Sequence, residues 1–202
     1  TKPRLNIPSI DKIENRLDEI EFESTEADID LSMFFDKKTE HEIVSLKNRL
    51  LDSEVDNWIR MVSTNRLTGH SAGFFSGYTL PPNQAASQKS QSLINARLDI
   101  VPPYKNTKEI ILKKSKSLLR NINSRLRNEL KAISSSSVFS SLDSRNTSHI
   151  QKNSINLTVT SPPFLNIVKY AADNWLRCWF NAIDASEIES RISLCRTVEA
   201  WS

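Results

Sequence analysis

The residues with the clearest chemical potential lie at positions 160–164, which read Thr-Ser-Pro-Pro-Phe. Two hydroxyl side chains precede the prolines, and a flat aromatic ring follows them. Prolines fix φ and donate no N–H, so the carbonyl groups of such a turn stay free as acceptors. Hydroxyls, free carbonyls and a ring can together hold a planar group that carries an amino function. The alternative is an ordinary Pro-Pro loop at the end of a strand.

A strand is predicted to position this turn. Residues 155–159 read Ile-Asn-Leu-Thr-Val, and a run rich in β-branched and apolar residues is typical of a buried strand. A shorter strand is predicted at 137–140. An apolar helix is predicted downstream, with Trp175, Leu176, Trp179 and Phe180 on it.

A basic helix is the second feature with functional potential. The apolar residues of 107–133 recur at helical spacing, and a row of bases accompanies them: Lys113, Lys116, Arg120, Arg127 and Lys131. The two rows are offset by roughly 200°, which predicts one long helix with a buried side and a basic side. A basic row on one face suits contacts with DNA phosphates. A solvated lysine face is the alternative.

All three glycines of the chain, Gly69, Gly73 and Gly77, fall in the stretch 65–87. Glycine lets the backbone approach a partner closely, and long loops rich in aromatic residues often carry function. Within this loop, His70 and Tyr78 are the residues that we expect to contact DNA. The alternative is a covering loop whose aromatic residues fill a small core. The glycine spacing is not that of a dinucleotide or P-loop motif.

Composition limits the classes of protein that remain. The chain has 202 residues, 38% of them hydrophobic, and a net charge of +3. Acids cluster in residues 11–30 and bases in residues 105–131, an asymmetry that permits a polyanion-binding face. Two cysteines without C-x-x-C spacing predict neither a metal site nor a disulfide framework, and a cytoplasmic location is the default. No apolar run reaches the length of a membrane span.

Two capping signals predict helix starts in the first part of the chain. Ser9 precedes Ile13 and Leu17 at helical spacing, which predicts an N-capped helix at about 10–21. Thr39 and Glu42 have the spacing of a capping box, which predicts a second helix that starts at Thr39.

Residues 160–164 resemble the catalytic motif of the DNA methyltransferases that modify exocyclic amino groups, N4 of cytosine or N6 of adenine. The run 165–180 is similar to the continuation of that motif in one bacterial subgroup. Stretches similar to 58–61, 68–71 and 78–84 occur upstream in the same subgroup. The resemblance covers most of the chain from about residue 30 onward, and it points to a bacterial restriction-modification enzyme or a phage-borne one.

The resemblance implies a specific chemistry for the motif. Thr160 belongs to the motif, the Ser161 hydroxyl and the Pro162 carbonyl accept hydrogen bonds from the amino group, and Phe164 stacks on the target base. That base must be flipped out of duplex DNA to reach them. Transfer of the methyl group from S-adenosylmethionine is then direct and needs no metal. A serine at the acceptor position favours cytosine N4.

The chain also departs from the family. The family binds S-adenosylmethionine at a glycine-rich turn, and glycines only at positions 69, 73 and 77 do not form one. We therefore expect an internal segment of a larger enzyme, inactive alone and completed by the remainder of the methyltransferase or by a complementary chain. Asp143 resembles the acid that contacts the cofactor's adenine.

These observations predict a helix-dominated α/β fragment in which a helical region precedes part of a Rossmann-like methyltransferase sheet. Residues 1–30 are expected to form an acidic helix and linker, 31–133 a helical region that inserts to recognise DNA, and 134–202 a partial catalytic region. A different class of function is a non-enzymatic DNA-binding or assembly module that uses the basic helix 107–133. A purely structural helical protein is the third hypothesis.

Overall fold

The computed structural model describes residues 2–69, 71–79, 86–140, 142, 146–160 and 170–191. Within these ranges the chain forms a 3₁₀ turn at Lys2–Arg4 and eight α-helices. The helices are α1 (Ile10–Glu19), α2 (Lys37–Arg49), α3 (Glu54–Thr64), α4 (Gln88–Leu98), α5 (Thr107–Leu119), α6 (Ser124–Ser136), α7 (Tyr170–Phe180) and α8 (Ala185–Arg191). None of the helices described is both long enough and apolar enough to cross a membrane.

The first six helices each begin at a polar side chain that accepts a backbone N–H from the first turn. These caps are Ser9, Asp36, Ser53, Ser87, Asn106 and Asn123. The predicted cap at Ser9 is confirmed. The predicted capping box is wrong, because α2 begins earlier and Glu42 is buried. Its carboxylate accepts hydrogen bonds from the Tyr104 hydroxyl and the Thr107 N–H, each at 2.8 Å.

One hydrophobic core joins the helices. Helix α5 lies against α1, α2 and α3, and α1 also packs on α3. Their inward side chains include Ile13, Ile59 and Ile111, each with 0% of its surface exposed. Helix α7 contributes Leu176 and Phe180, which are also fully buried. The core therefore combines side chains from the beginning, the middle and the end of the chain.

Polar contacts of α7 fix its position on this core. The indole N–H of Trp175 donates to the carbonyl oxygen of Ala86 at 3.2 Å, and its ring lies 5.9 Å from the Phe34 ring. The indole N–H of Trp179 donates to a carboxylate oxygen of Asp28 at 2.7 Å. Hydrogen bonds from two indole N–H groups to residues distant in sequence therefore fix the orientation of α7, which apolar burial alone does not do.

The predicted sheet is wrong for the part of the chain that the structure describes, because that part is helix-rich and contains no β-strand. Residues 155–159 are exposed and form no strand, with a bend at Asn156. Ile155, Leu157 and Val159 are 58%, 79% and 86% exposed. A strand requires a neighbouring strand to satisfy its backbone groups, and no strand among the described residues supplies one. Residues 137–140 likewise form no strand.

The single long helix predicted at 107–133 is also wrong. Helix α5 ends at Leu119, and the Ile122 N–H donates to the Leu119 carbonyl at 3.0 Å in a tight turn. Asn123 then caps α6 by accepting the Leu126 N–H at 2.8 Å. Because the chain turns between the two helices, the bases of α5 and α6 do not share one helix face.

Candidate nucleic-acid interface

Three adjoining cavities mark one face of the helical core. The first has a volume of about 430 Å³ and lies between the N-terminal turn, α3 and α5. The second, of about 370 Å³, shares Arg66 and Lys114 with the first. The third, of about 220 Å³, shares Ile7 with the first and extends toward α6. The cavities therefore follow one another across a continuous surface.

This surface is strongly positive. We call it the basic face and define it by the cations that line the three cavities: Arg4, Lys12, Arg66, Lys113, Lys114, Arg127 and Lys131. Only two carboxylates, Glu54 and Glu109, line the same cavities. Among the described residues, no cation of the basic face forms an ion pair. Seven cations against two carboxylates leave this surface with an excess of positive charge, a condition that attracts polyanions.

Arg66 occupies the junction of the first two cavities. It follows the C-terminus of α3, and its backbone is held by hydrogen bonds to Ser63 and Phe75, each at 2.8 Å. Its guanidinium carbon lies 4.2 Å from the centroid of the Phe74 ring, within the range of a cation–π contact. Its Nε is buried and has no hydrogen-bond partner among the described residues. Burial lowers the pKa of the Arg66 guanidinium, which nevertheless stays charged.

The loop that contains Gly69 determines the position of the Phe74 ring, which contacts the Arg66 guanidinium. A Cβ atom at Gly69 would lie 2.5 Å from atoms of the Phe74 ring, so only glycine lets the ring take this position. The Gly69 N–H donates to the Ser76 hydroxyl at 3.2 Å, and its carbonyl accepts from the Thr79 hydroxyl at 3.2 Å. These contacts fix the loop, the ring and hence the guanidinium plane.

The structure assigns different positions to the predicted DNA contacts. Lys113, Arg127 and Lys131 line the basic face. Lys116 and Arg120 are exposed but line none of the three cavities. Tyr78 is 48% exposed and also lines none of them, and His70 lies outside the described residues.

Four cations of the basic face were not among the predicted contacts: Arg4, Lys12, Arg66 and Lys114. They belong to three separate stretches of the chain, and only the packing of α1, α3 and α5 brings them together. Arg66 had one signal in the sequence, its position just before the glycine-rich loop.

Of the predicted catalytic motif, only Thr160 is described. Thr160 is exposed and is the last described residue before 161–169, which lie outside the described ranges. Ser161, Pro162 and Phe164 lie outside the described residues. Their geometry as acceptors and stacking ring therefore stays a prediction.

Two of the three glycines leave no open cradle for S-adenosylmethionine, the cofactor that the family resemblance implies, and the third, Gly73, lines the second cavity. Gly69 packs against Phe74, and a Cβ atom at Gly77 would lie 3.4 Å from the backbone of Pro102. Neither glycine forms an open cradle for a ligand. Asp143, the predicted contact to the cofactor's adenine, lies outside the described residues. Over the ranges that the structure covers, no cluster of His, Cys, Asp or Glu has the arrangement of a metal site.

Comparisons of the chain with protein-family models, with curated proteins and with solved structures found no significant match.

Proposed function

We propose that this chain is a segment of an S-adenosylmethionine-dependent DNA methyltransferase that modifies an exocyclic amino group of a flipped base, with cytosine N4 as the favoured target. In this proposal the basic face lies against the DNA backbone, and residues 160–164 hold the target base. The observation that carries the proposal is the basic face on the same helical core to which the motif's continuation, α7, is docked.

The packing of the resembling stretches supports the proposal. Leu176 and Phe180, in the stretch after the motif, share one core with Trp58 and Ile59 in an upstream stretch. The side-chain amide of Asn181 also donates to the hydroxyl of Thr64 at 3.0 Å, at the end of α3. Blocks that are more than a hundred residues apart in sequence thus form one body. A body of this kind can hold DNA at a fixed position relative to the motif.

The roles of the motif residues follow from the chemistry of an aromatic amine. Its lone pair is delocalised into the ring, so acceptors that grip the amino hydrogens make the nitrogen more nucleophilic. Ser161 and Pro162 supply those acceptors, and Phe164 supplies the surface on which the flipped base stacks. The rate gain comes from positioning and from local electrostatics. The proposal requires a methyl donor site supplied by the remainder of the enzyme or by a complementary chain.

The test uses the complete product of the gene that encodes this chain. Duplex DNA is incubated with radiolabelled S-adenosylmethionine, and the methylated nucleosides are identified by mass spectrometry. We expect N4-methylcytosine, and Ser161→Ala should lower the transfer rate about 100-fold while DNA affinity is unchanged. Ser148→Ala, which replaces an exposed serine outside the motif, is the matched control. Absence of any methylated base, or full activity of Ser161→Ala, refutes the proposal.

The basic face also favours a second candidate, a non-enzymatic DNA-binding or assembly module. The same surface would then bind the DNA backbone without any reaction. Salt-dependent duplex binding by a complete gene product that transfers no methyl group distinguishes this candidate from the enzyme.

A further inference from the structure

We propose that the first cavity binds one nucleotide unit of a nucleic-acid strand, with the phosphate between Arg66 and Lys114 and the base against the apolar wall. This inference rests on the proposed function for the choice of a nucleic acid as ligand. The wall is formed by Trp58, Met61 and Leu118. This inference specifies which cavity of the basic face binds the nucleic acid and which parts of one nucleotide it contacts.

The anion site depends on Arg66, whose guanidinium is prepared before any ligand arrives. The guanidinium lies over the Phe74 ring and forms no ion pair with a carboxylate among the described residues, although Glu109 lines the second cavity with it. Its buried Nε has no partner over the same described residues. The Nε has almost no accessible surface, so an anion in the cavity would accept hydrogen bonds from the terminal guanidinium nitrogens, whose charge makes those bonds strong. Lys114 lines the same cavity and adds a second positive charge.

The remainder of the cavity is suited to a planar, weakly polar group. Trp58 is buried, whereas the Leu118 side chain is 44% exposed and lines the opening. A volume of about 430 Å³ lies within the range of small-molecule sites, which combine apolar walls with a few polar groups. A nucleotide has this combination, since it joins a flat base to a charged phosphate.

The neighbouring cavities favour a strand over an isolated small anion. The second cavity adds Lys113 on one side, and the third adds Arg127 and Lys131 on the other. A nucleic-acid backbone presents a phosphate at every nucleotide, so a row of cationic cavities matches its repeated charge. A free nucleotide has the same chemistry and is the other possible source of the ligand.

The experiment measures fluorescence anisotropy of a labelled single-stranded oligodeoxynucleotide and of its duplex with the full chain, with dCMP as competitor. Arg66→Met and Lys114→Met should each weaken strand binding about tenfold. Lys89→Met removes one charge from the exposed surface of α4, outside the three cavities, and should change affinity less than twofold. Arg66→Lys keeps the charge and should show an intermediate loss, so it replaces Arg66→Met if that variant does not fold by circular dichroism.

If dCMP competes with the oligonucleotide, the result supports the site and shows that a free nucleotide is sufficient to occupy it. Strand binding that depends on Arg66 but resists dCMP supports the site and identifies the strand as the ligand. Equal losses in Arg66→Met and Lys89→Met overturn the inference, because affinity then reflects diffuse charge, and they leave DNA binding itself intact. Absence of binding to every probe also overturns the inference, whereas the methyl-transfer assay decides the proposed function separately.

Discussion

The docking of α7 predicts a large and specific effect of Leu176→Ala. This helix follows the Pro-Pro motif in sequence and is packed on the helical core. Leu176 is fully buried and belongs to the same apolar cluster as Phe34 and Trp58. Truncation to alanine removes three carbon atoms from that cluster and leaves a cavity.

The size of the effect follows from this burial. Leucine-to-alanine changes at fully buried positions cost about 2–5 kcal/mol, the lost transfer free energy plus the cavity term. Because Leu176 has no exposed surface, we expect a loss of about 3 kcal/mol in the free energy of unfolding. For a chain of 202 residues this corresponds to a decrease in melting temperature of about 6–12 °C. The matched control is Leu93→Ala on α4, where the side chain is 64% exposed and the expected loss is below about 0.5 kcal/mol.

Urea denaturation followed by tryptophan fluorescence measures the effect, because two tryptophans lie on α7 itself. Hydrogen exchange of the α7 amides then reports whether the helix opens with the rest of the core or separately. A loss below about 1 kcal/mol for Leu176→Ala, close to that of the control, would refute the argument that α7 is part of the cooperative core.

Two further predictions concern Gly69 in the glycine-rich loop and the ionisation of Tyr104 beside the buried Glu42. Gly69→Ala should lower stability by about 1–3 kcal/mol and weaken oligonucleotide binding, because the new Cβ atom displaces Phe74. Gly73→Ala, where the nearest neighbouring atom lies 3.8 Å from the new Cβ, should leave the melting temperature unchanged in the melting assay that measures the loss for Gly69→Ala. Desolvation and the Glu42 carboxylate raise the pKa of Tyr104 to about 12. The measurement is a titration with base, in which the ultraviolet absorbance of Tyr104→Phe is subtracted from that of the wild type. The folded state holds the Tyr104 proton more tightly than the unfolded state. The contribution of this proton to stability is therefore complete below pH 10.0 and is lost as the pH rises toward 12. A titration midpoint of Tyr104 near 10.0 would contradict the raised pKa.

The elements that could be predicted from the sequence are those that depend on local signals. Ser9 caps a helix because its hydroxyl needs only a backbone N–H three residues ahead, and the apolar spacing of Ile13 and Leu17 continues from it. The turn at 120–123 was missed because apolar residues keep a helical spacing across it, while Asn123 acts as a cap. Periodicity therefore located the apolar residues but not the end of the helix.

The elements that could not be predicted depend on distant partners. The alternation of Ile155, Leu157 and Val159 is compatible with a strand, but pairing requires a second strand that the described residues do not contain. Arg66 and Lys114 belong to different parts of the chain, and no local pattern reports that they line one cavity. The predicted row on one helix contains three of the seven cations of the basic face. Of the four that it missed, Lys114 lies on α5 and the other three come from other parts of the chain.

The segregation of charge explains how a chain with a net charge of only +3 presents a strongly basic surface. Four of the five ion pairs among the described residues use acids of the N-terminal segment or of α3, as in Arg49 with Glu23 and Arg16 with Asp56. The fifth joins Arg125 to Glu129 on α6. The bases in these pairs are all outside the basic face. The acids in these pairs neutralise cations elsewhere, and the basic face keeps seven cations against two carboxylates. Electrostatic binding is screened by salt, so we expect the affinity for nucleic acid that the proposed function assigns to this surface to fall steeply as salt rises.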